Sequence, residues 1–182
     1  MLQKYPVYPL LDRDSSCVEY FPKGVVVFDR DDTLIEDAGQ HNEIDCIKFL
    51  PGVVDAIKIL SDLDYGLAVA TNQAGLESGI FSLDKLNEFN NALRVHLKEQ
   101  IGVEVDLFAV CPHLASTNCN CRKPRIGLLQ AIEDSGLGRI KLFVGNSESD
   151  RMAAVNFKVD FIHTDGTNLA RRIKDWLGEK CV

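Results

Sequence analysis

One stretch, residues 25–35, constrains the fold more than any other, because an apolar run there ends abruptly in acids. Residues 25–28 are β-branched or aromatic, which predicts a short strand buried on both faces. Asp29 and Asp31 follow at once. Ligands of open α/β sheets bind outside the carboxyl ends of such strands. The pair can act as nucleophile (Asp29) and general acid and base (Asp31), or it can be a polar turn that merely ends a strand.

Apolar strands alternate with amphipathic helices along the rest of the 182 residues. Further strands are predicted at 65–70, 103–110, 140–144 and 159–162, and helices from about Pro51, after Ser82, at 127–135, through Met152 and at 168–177. This alternation predicts an α/β fold with a mainly parallel sheet and helices on both faces. Residues 1–23 carry three prolines and predict an irregular N-terminal arm, which leaves 24–182 as a single domain.

Polar side chains follow four of the predicted strands at the point where each strand ends. They are Asp29 and Asp31, then Thr71 and Asn72, then the segment 111–123 with Lys123, and finally Asn146 with Asp150. Parallel strands place these ends along one edge, so the side chains can converge. Acids that bind a divalent cation, together with a hydroxyl and a lysine, suit phosphoryl transfer. The cation and the lysine neutralise phosphate charge, while the hydroxyl and nearby N–H groups position its oxygens.

A cluster of metal-ligating residue types lies between the third predicted strand and Lys123. Its members are Cys111, His113, Cys119 and Cys121. Three thiolates and one imidazole form a preferred tetrahedral zinc set, and no ligand position is left open. We therefore expect a structural Zn²⁺ in a loop at 111–121 that presents Arg122 and Lys123 rigidly. The alternative is buried free cysteines beside a surface histidine.

Composition limits the classes of partner. Hydrophobic residues make up 46% of the chain and the net charge is −7, as in many soluble domains. The acidic balance disfavours binding to nucleic acid or to an anionic membrane surface. No apolar run approaches a membrane span, and the first residues lack a signal-peptide core. We expect a cytoplasmic monomer that binds neither nucleic acid nor membrane.

Four motifs together resemble those of the haloacid dehalogenase-like (HAD-like) phosphatases. They read DRDDT, ATNQAG, CRKP and VGNSESD, within residues 25–162. The segment CPHLASTNCNCRKP is similar to the capless branch that contains D-glycero-D-manno-heptose 1,7-bisphosphate phosphatase and histidinol-phosphatase. The resemblance implies a three-layer Rossmann-like sandwich with a zinc-stabilised loop. It also implies a magnesium-dependent phosphatase that hydrolyses a small sugar phosphate through an aspartyl-phosphate intermediate.

The resemblance also implies catalytic and metal-binding roles at matching positions. Asp29 would be the nucleophile and a Mg²⁺ ligand, and Asp31 would be the acid and base and give a backbone carbonyl to Mg²⁺. Asn146 would occupy the third Mg²⁺ position. Asp150 would support the site, by hydrogen bonds that hold its loop or by turning toward the metal.

The remaining implied roles concern phosphate and substrate. Thr71 and Asn72 would hold the phosphate. Lys123 would bind phosphate and orient Asp29, and Arg122 would contact the substrate.

Four departures from the family pattern predict a weakened site. Asp32 stands where the family usually has glycine, so it would strain the turn or add negative charge. Asn146 replaces an aspartate, and Ser147 replaces the lysine of heptose phosphatases. An arginine expected after residues 71–73 is missing. Weak Mg²⁺ binding follows from the lost carboxylate, and a phosphatase-fold binding protein with little turnover is an alternative function.

Two substrates of the branch stay open. Residues 41–45 and 49–53 look like the heptose branch, whereas the short zinc loop looks like the histidinol-phosphate branch. More residues near the substrate loop agree with the heptose branch, so D-glycero-D-manno-heptose 1,7-bisphosphate is the favoured substrate and histidinol phosphate the alternative.

Overall fold

The computed structural model describes residues 10–13, 22–37 and 42–179. The strands in these ranges are β1 (Leu10–Arg13), β2 (Gly24–Phe28), β3 (Tyr65–Asn72), β4 (Leu107–Cys111), β5 (Ile140–Gly145) and β6 (Asp160–His163). The α-helices are α1 (Val53–Asp62), the short α2 (Gly75–Ser78), α3 (Leu83–Ile101), α4 (Gly127–Asp134), α5 (Glu148–Phe157) and α6 (Leu169–Glu179). No helix in these ranges is both long enough and apolar enough to cross a membrane.

The six strands form one sheet in the order β1-β4-β3-β2-β5-β6. All neighbouring pairs are parallel except β1 with β4, which is antiparallel. Strands β2 and β3 lie at the centre, and β2 continues directly into the two acids. The predicted α/β fold with a mainly parallel sheet is confirmed.

Strand β2 is buried along its whole length because helices cover both faces of the sheet. Side chains alternate between faces along a strand. Val26 and Phe28 therefore join a hydrophobic cluster formed with α1, α3 and α6, whereas Val25 and Val27 join a second cluster formed with α4 and α5. The unbroken apolar run at 25–28 is what a strand between two helical layers requires.

The N-terminal segment differs from its prediction. Residues Leu10–Arg13 form edge strand β1 and pair with β4 from Leu10↔Val110 to Arg13↔Leu107, so an irregular arm is wrong for them. No alternation of polar and apolar residues marks LLDR as a strand, and only the free edge of β4 gives it a partner. The other arm residues up to 21 lie outside the described residues, and the division at residue 23 stays a prediction.

Side-chain hydrogen bonds mark the start of α3 and of β4. Ser82 accepts a hydrogen bond from Lys85 N at 3.1 Å, which confirms it as the N-cap of α3. Strand β4, in contrast, begins at Leu107 rather than at 103. The Asp106 carboxylate accepts a hydrogen bond from Leu67 N at 2.7 Å, so a side chain replaces part of the strand ladder there.

The segment 36–49 between β2 and α1 is mostly irregular in its described part. The described part contains a single 3-10 turn (Ile44–Cys46), and Ile35 bridges to Phe49 at the base of the loop. The short helix α2 was not predicted, because four residues carry too little periodicity to show one.

Gly145, at the end of β5, has no room for a side chain. A Cβ placed there would lie 2.5 Å from Cβ of Asp150. We expect Gly145→Ala to lower the free energy of unfolding by about 1–3 kcal/mol, because overpacking a rigid contact costs about that much. Urea unfolding measures it. Gly178→Ala, in open space on α6, is the matched control and should be neutral or slightly stabilising. Equal effects at the two positions would contradict this account.

Candidate active site

The carboxyl ends of β2, β3 and β5 meet at one edge of the sheet. Phe28 pairs with Val69 and Val144, so the residues that follow them lie side by side. Asp29 N donates to Val144 O at 2.9 Å, which holds the first acid beside the end of β5. The predicted convergence of strand ends is therefore present in the structure.

Lys123 forms a buried ion cluster with two carboxylates at this edge. Its Nζ lies 2.7 Å from Oδ1 of Asp29 and 2.6 Å from Oδ1 of Asp150, and it donates to Ala70 O at 2.8 Å. The Lys123 side chain is only 2% exposed and that of Asp150 is fully buried. An ammonium buried this deeply is stable only when it is paired.

The two partners shift each other's pKa. Burial raises the pKa of Asp29 to about 6, although the attraction of Lys123 acts in the opposite direction. For Lys123, burial alone would lower the pKa, but the attraction of Asp29 and Asp150 outweighs it and raises the pKa above its ordinary value. At neutral pH, Lys123 is therefore charged and lies beside an ionised Asp29.

Asp150 also fixes the loop after β5. Its Oδ2 accepts hydrogen bonds from Ser147 N at 3.0 Å and Ser147 Oγ at 2.6 Å, while Asp150 N donates to Ser147 Oγ at 3.2 Å. This is a reciprocal N-terminal cap of α5. Asp150 thus holds its loop and Lys123 together.

Asp31 is held by two residues that the sequence analysis did not single out. Arg30 donates to both of its oxygens, from Nε at 3.0 Å and from Nη2 at 3.1 Å, and Gln73 Nε2 donates to Oδ2 at 2.8 Å. Arg30 is 1% exposed and lies 4.6 Å above the ring of Phe89. An arginine between two aspartates is a weak signal in sequence, since nothing there shows that it is buried.

Gln73 connects this acid to the end of β3. The same Nε2 that donates to Asp31 lies 2.9 Å from Oγ1 of Thr71, which is 1% exposed. Asn72 pairs with the backbone of Lys123, accepting from its N–H at 3.1 Å and donating to its carbonyl at 3.3 Å. The two predicted phosphate residues therefore lie between Asp31 and Lys123.

The predicted zinc ligands come together in the fold and could hold a metal ion. The ligand atoms of Cys111, His113, Cys119 and Cys121 all lie within 4.8 Å of one another, and all four residues are buried. The three sulfur pairs are 3.3–3.6 Å apart, and His113 Nδ1 lies 3.3 Å from Cys121 Sγ. Ligands at about 2.3 Å around a tetrahedral ion would lie about 3.8 Å apart, so the cluster is close to that size.

Side chains outside the cluster hold the same loop in place. The Glu77 carboxylate accepts hydrogen bonds from Leu114 N and from Thr117 Oγ1, and the bond from Thr117 lowers the pKa of Glu77 most. Arg122 Nη1 donates to His113 O at 3.0 Å. Arg122, predicted to contact substrate, therefore braces the loop, and its side chain stays partly exposed.

A cavity of about 390 Å³ opens beside Asp31 and Asn72. Its wall is apolar on the side formed by Ile80, Phe81 and Leu114. A cavity of this volume suits a small molecule. A second cavity of about 330 Å³ lies between Asp32 and Asn146.

The donor groups that the resemblance implies fit Mg²⁺ in kind, because all of them are oxygens. They are the Asp29 carboxylate, the Asp31 backbone carbonyl and Asn146 Oδ1. Thr33 Oγ1 lies 3.4 Å from Asn146 Oδ1 and orients the amide. Only one of these three donors carries a full negative charge, so the set is chemically suitable but weakly charged.

A family model named polynucleotide kinase 3 phosphatase matches residues 24–173. The chain therefore belongs to this family of HAD-like phosphatases, and it is a phosphoric monoester hydrolase.

Several curated proteins of this family are similar in sequence to the chain. It is 37% identical over 142 residues to D-glycero-beta-D-manno-heptose-1,7-bisphosphate 7-phosphatase of Haemophilus influenzae, covering 74% of this chain and 77% of that one. A histidine biosynthesis bifunctional protein of Baumannia cicadellinicola is 33% identical over 76% of this chain, but only 40% of its own length is matched.

A solved structure supports the fold. The D,D-heptose 1,7-bisphosphate phosphatase from B. bronchiseptica, complexed with magnesium and phosphate, superposes with a TM-score of 0.73 at 26% identity. The match covers 86% of this chain and 99% of that one.

The buried ion cluster predicts a large cost for removing its cation. We expect Lys123→Met to lower the free energy of unfolding by about 3–5 kcal/mol, because it leaves Asp29 and Asp150 close together and uncompensated. Lys174→Met, at an exposed position of α6, is the control and should change stability by less than about 0.5 kcal/mol. Urea unfolding at neutral pH measures both, and a small effect at Lys123 would show that the cluster does not hold the site together.

Proposed function

We propose that this phosphatase hydrolyses a small sugar phosphate in a Mg²⁺-dependent reaction, with D-glycero-D-manno-heptose 1,7-bisphosphate as the favoured substrate. The observation that carries the proposal is the cluster of Asp29, Lys123 and Asp150, with Asp31 beside it. The names of the curated relatives and the magnesium and phosphate complex of the similar structure support the choice of substrate and cation.

In the first half-reaction, a carboxylate oxygen of Asp29 attacks phosphorus while the bond from phosphorus to the sugar oxygen breaks. Lys123 holds Asp29 in position and neutralises phosphate charge, and Thr71 and Asn72 position the phosphate oxygens. Asp31, as general acid, gives a proton to the sugar oxygen as it leaves. The products are the free sugar hydroxyl and an aspartyl phosphate.

In the second half-reaction, water attacks the aspartyl phosphate and Asp31 takes up the proton from that water. The bond from phosphorus to Asp29 breaks, and inorganic phosphate is released. In the structure both oxygens of Asp31 accept hydrogen bonds from Arg30, an arrangement that suits the carboxylate that acts as base in this step. Mg²⁺, held by Asp29, Asn146 and the Asp31 carbonyl, would neutralise phosphate charge throughout.

We propose Zn²⁺ as the ion of the Cys111–Cys121 loop, in a structural role. The donor set is three sulfurs and one imidazole nitrogen, and all four ligands are protein side chains. Cys121, the last ligand, is followed directly by Arg122 and Lys123, so the ion would fix the catalytic lysine from one side.

Histidinol phosphate remains the second candidate substrate, supported by the short loop and by the weaker match to the histidine biosynthesis protein. A binding protein with little turnover is favoured only by Asn146 and Asp32. The ion pairs of Lys123 with Asp29 and Asp150 argue against this alternative. A nucleic-acid substrate, as the family name describes, fits poorly with a net charge of −7. The monomeric state and cytoplasmic location stay predictions.

A substrate panel with Mg²⁺ tests the function. Hydrolysis of the heptose bisphosphate should exceed that of histidinol phosphate and of a generic aryl phosphate in kcat/KM, measured by phosphate release. Preference for histidinol phosphate would assign the second candidate. Absence of turnover with all three would favour the binding protein.

Two substitutions test the roles of the acids. Asp29→Asn should abolish turnover, since an amide cannot form the acyl phosphate. Asp31→Asn should lower kcat by about 10² to 10⁴, the usual contribution of general acid–base catalysis. Steady-state kinetics with acid-quench trapping of the phosphoenzyme measures both. Substantial activity in Asp29→Asn would rule out the mechanism.

Metal analysis tests the zinc assignment. Protein purified without chelator should contain close to one zinc per chain, and Cys119→Ser should lose most of it. Removal of the metal should also expose three additional thiols to a thiol reagent, compared with the untreated protein. No zinc in the parent protein, with the three thiols already reactive, would overturn the assignment.

A further inference from the structure

The charges around the catalytic acids nearly cancel. Asp31 is paired with Arg30, and Lys123 lies between Asp29 and Asp150. Three carboxylates and two cations leave one net negative charge at neutral pH. One negative charge is too little to neutralise a divalent cation bound beside these acids. Asn146 would add an oxygen donor there without adding charge.

Two nearby carboxylates in the first turn of α5 already have partners. Both oxygens of Asp150 are used, one by Lys123 and one by Ser147. Glu148 is exposed and accepts from Arg151 Nε at 2.8 Å, so its charge is paired in solvent. Neither residue has an unpaired charge to offer a metal ion.

Asp32 differs from both. It follows Asp31 directly, has a backbone φ of +52°, and its Oδ1 accepts a hydrogen bond from Asp37 N at 3.1 Å. No cation pairs with it among the described residues. The left-handed turn places its side chain on the wall of the 330 Å³ cavity, which Asn146 also lines.

We infer that Asp32 supplies the second negative charge of the magnesium site, across the cavity that it shares with Asn146. The inference rests on the proposed Mg²⁺-dependent function. Mg²⁺ keeps several of its waters in protein sites. Six waters occupy about 180 Å³ at about 30 Å³ each, so the cavity has room for a hydrated ion. Asp32 therefore acts through a bound water and raises the affinity for the ion without being one of its direct ligands.

Asp165 is the matched comparison, since it lies on the wall of the same cavity. Its Oδ1 accepts from Thr167 N at 3.0 Å and from Thr167 Oγ1 at 2.7 Å, and the bond from Thr167 Oγ1 lowers its pKa most. This carboxylate is held by its own turn. Its substitution controls for a general loss of negative charge from the cavity.

The experiment is calorimetric titration of Mg²⁺ into the 182-residue protein, purified without chelator and free of substrate. Asp32→Asn should raise the Kd by roughly tenfold, in line with the loss of one nearby charge. Asn tolerates the left-handed region, so this variant keeps the turn. Adding Asn146→Asp to Asp32→Asn should restore the parent Kd to within about threefold, and Asp165→Asn should raise it by less than about threefold.

Three outcomes would overturn the inference: an unchanged Kd in Asp32→Asn, an equal effect of Asp165→Asn, or no Mg²⁺ binding by the parent at millimolar concentration. Thermal unfolding of each variant confirms that the fold is intact. The result is separable from the proposed function. Turnover by a parent whose Kd does not depend on Asp32 defeats only the inference. A Kd that depends on Asp32, in a parent without turnover, defeats only the function.

Discussion

The ion cluster of Lys123 with Asp29 and Asp150 is the interaction on which the site depends. It connects the ends of β2 and β5, and through Ala70 O it also connects β3. Neither the lysine nor Asp150 could be buried alone, because an unpaired charge in the interior is strongly destabilising. The three strand ends are therefore held together by the same charges that would act on a phosphate.

The loop that carries Lys123 is fixed from both sides. The Cys/His cluster folds its first part, Glu77 binds its backbone, and Asn72 pairs with Lys123 itself. A loop without a hydrophobic core of its own needs such supports to hold a side chain in place. The Cys/His cluster and Lys123 thus lie on one loop whose parts support each other.

The charges at the carboxyl edge of the sheet nearly balance each other. Arg30 neutralises Asp31 and Lys123 neutralises one of its two partners, so little negative charge remains for a cation. Asn146 adds none. Asp32 adds one, in a left-handed turn that an aspartate can adopt. Substitutions that look like losses when each is read alone can offset each other once they line the same cavity.

The sequence by itself determined the parallel α/β sheet, the four polar strand ends and the metal-ligating set. Periodicity, strand composition and ligand spacing are local patterns that the chain carries without its partners. Only the tertiary structure decided that Arg30 and Gln73 clamp Asp31, that Arg122 braces a loop, and that LLDR becomes an edge strand. Burial, pairing of charges and a free strand edge are properties of distant segments brought together, and no local pattern encodes them.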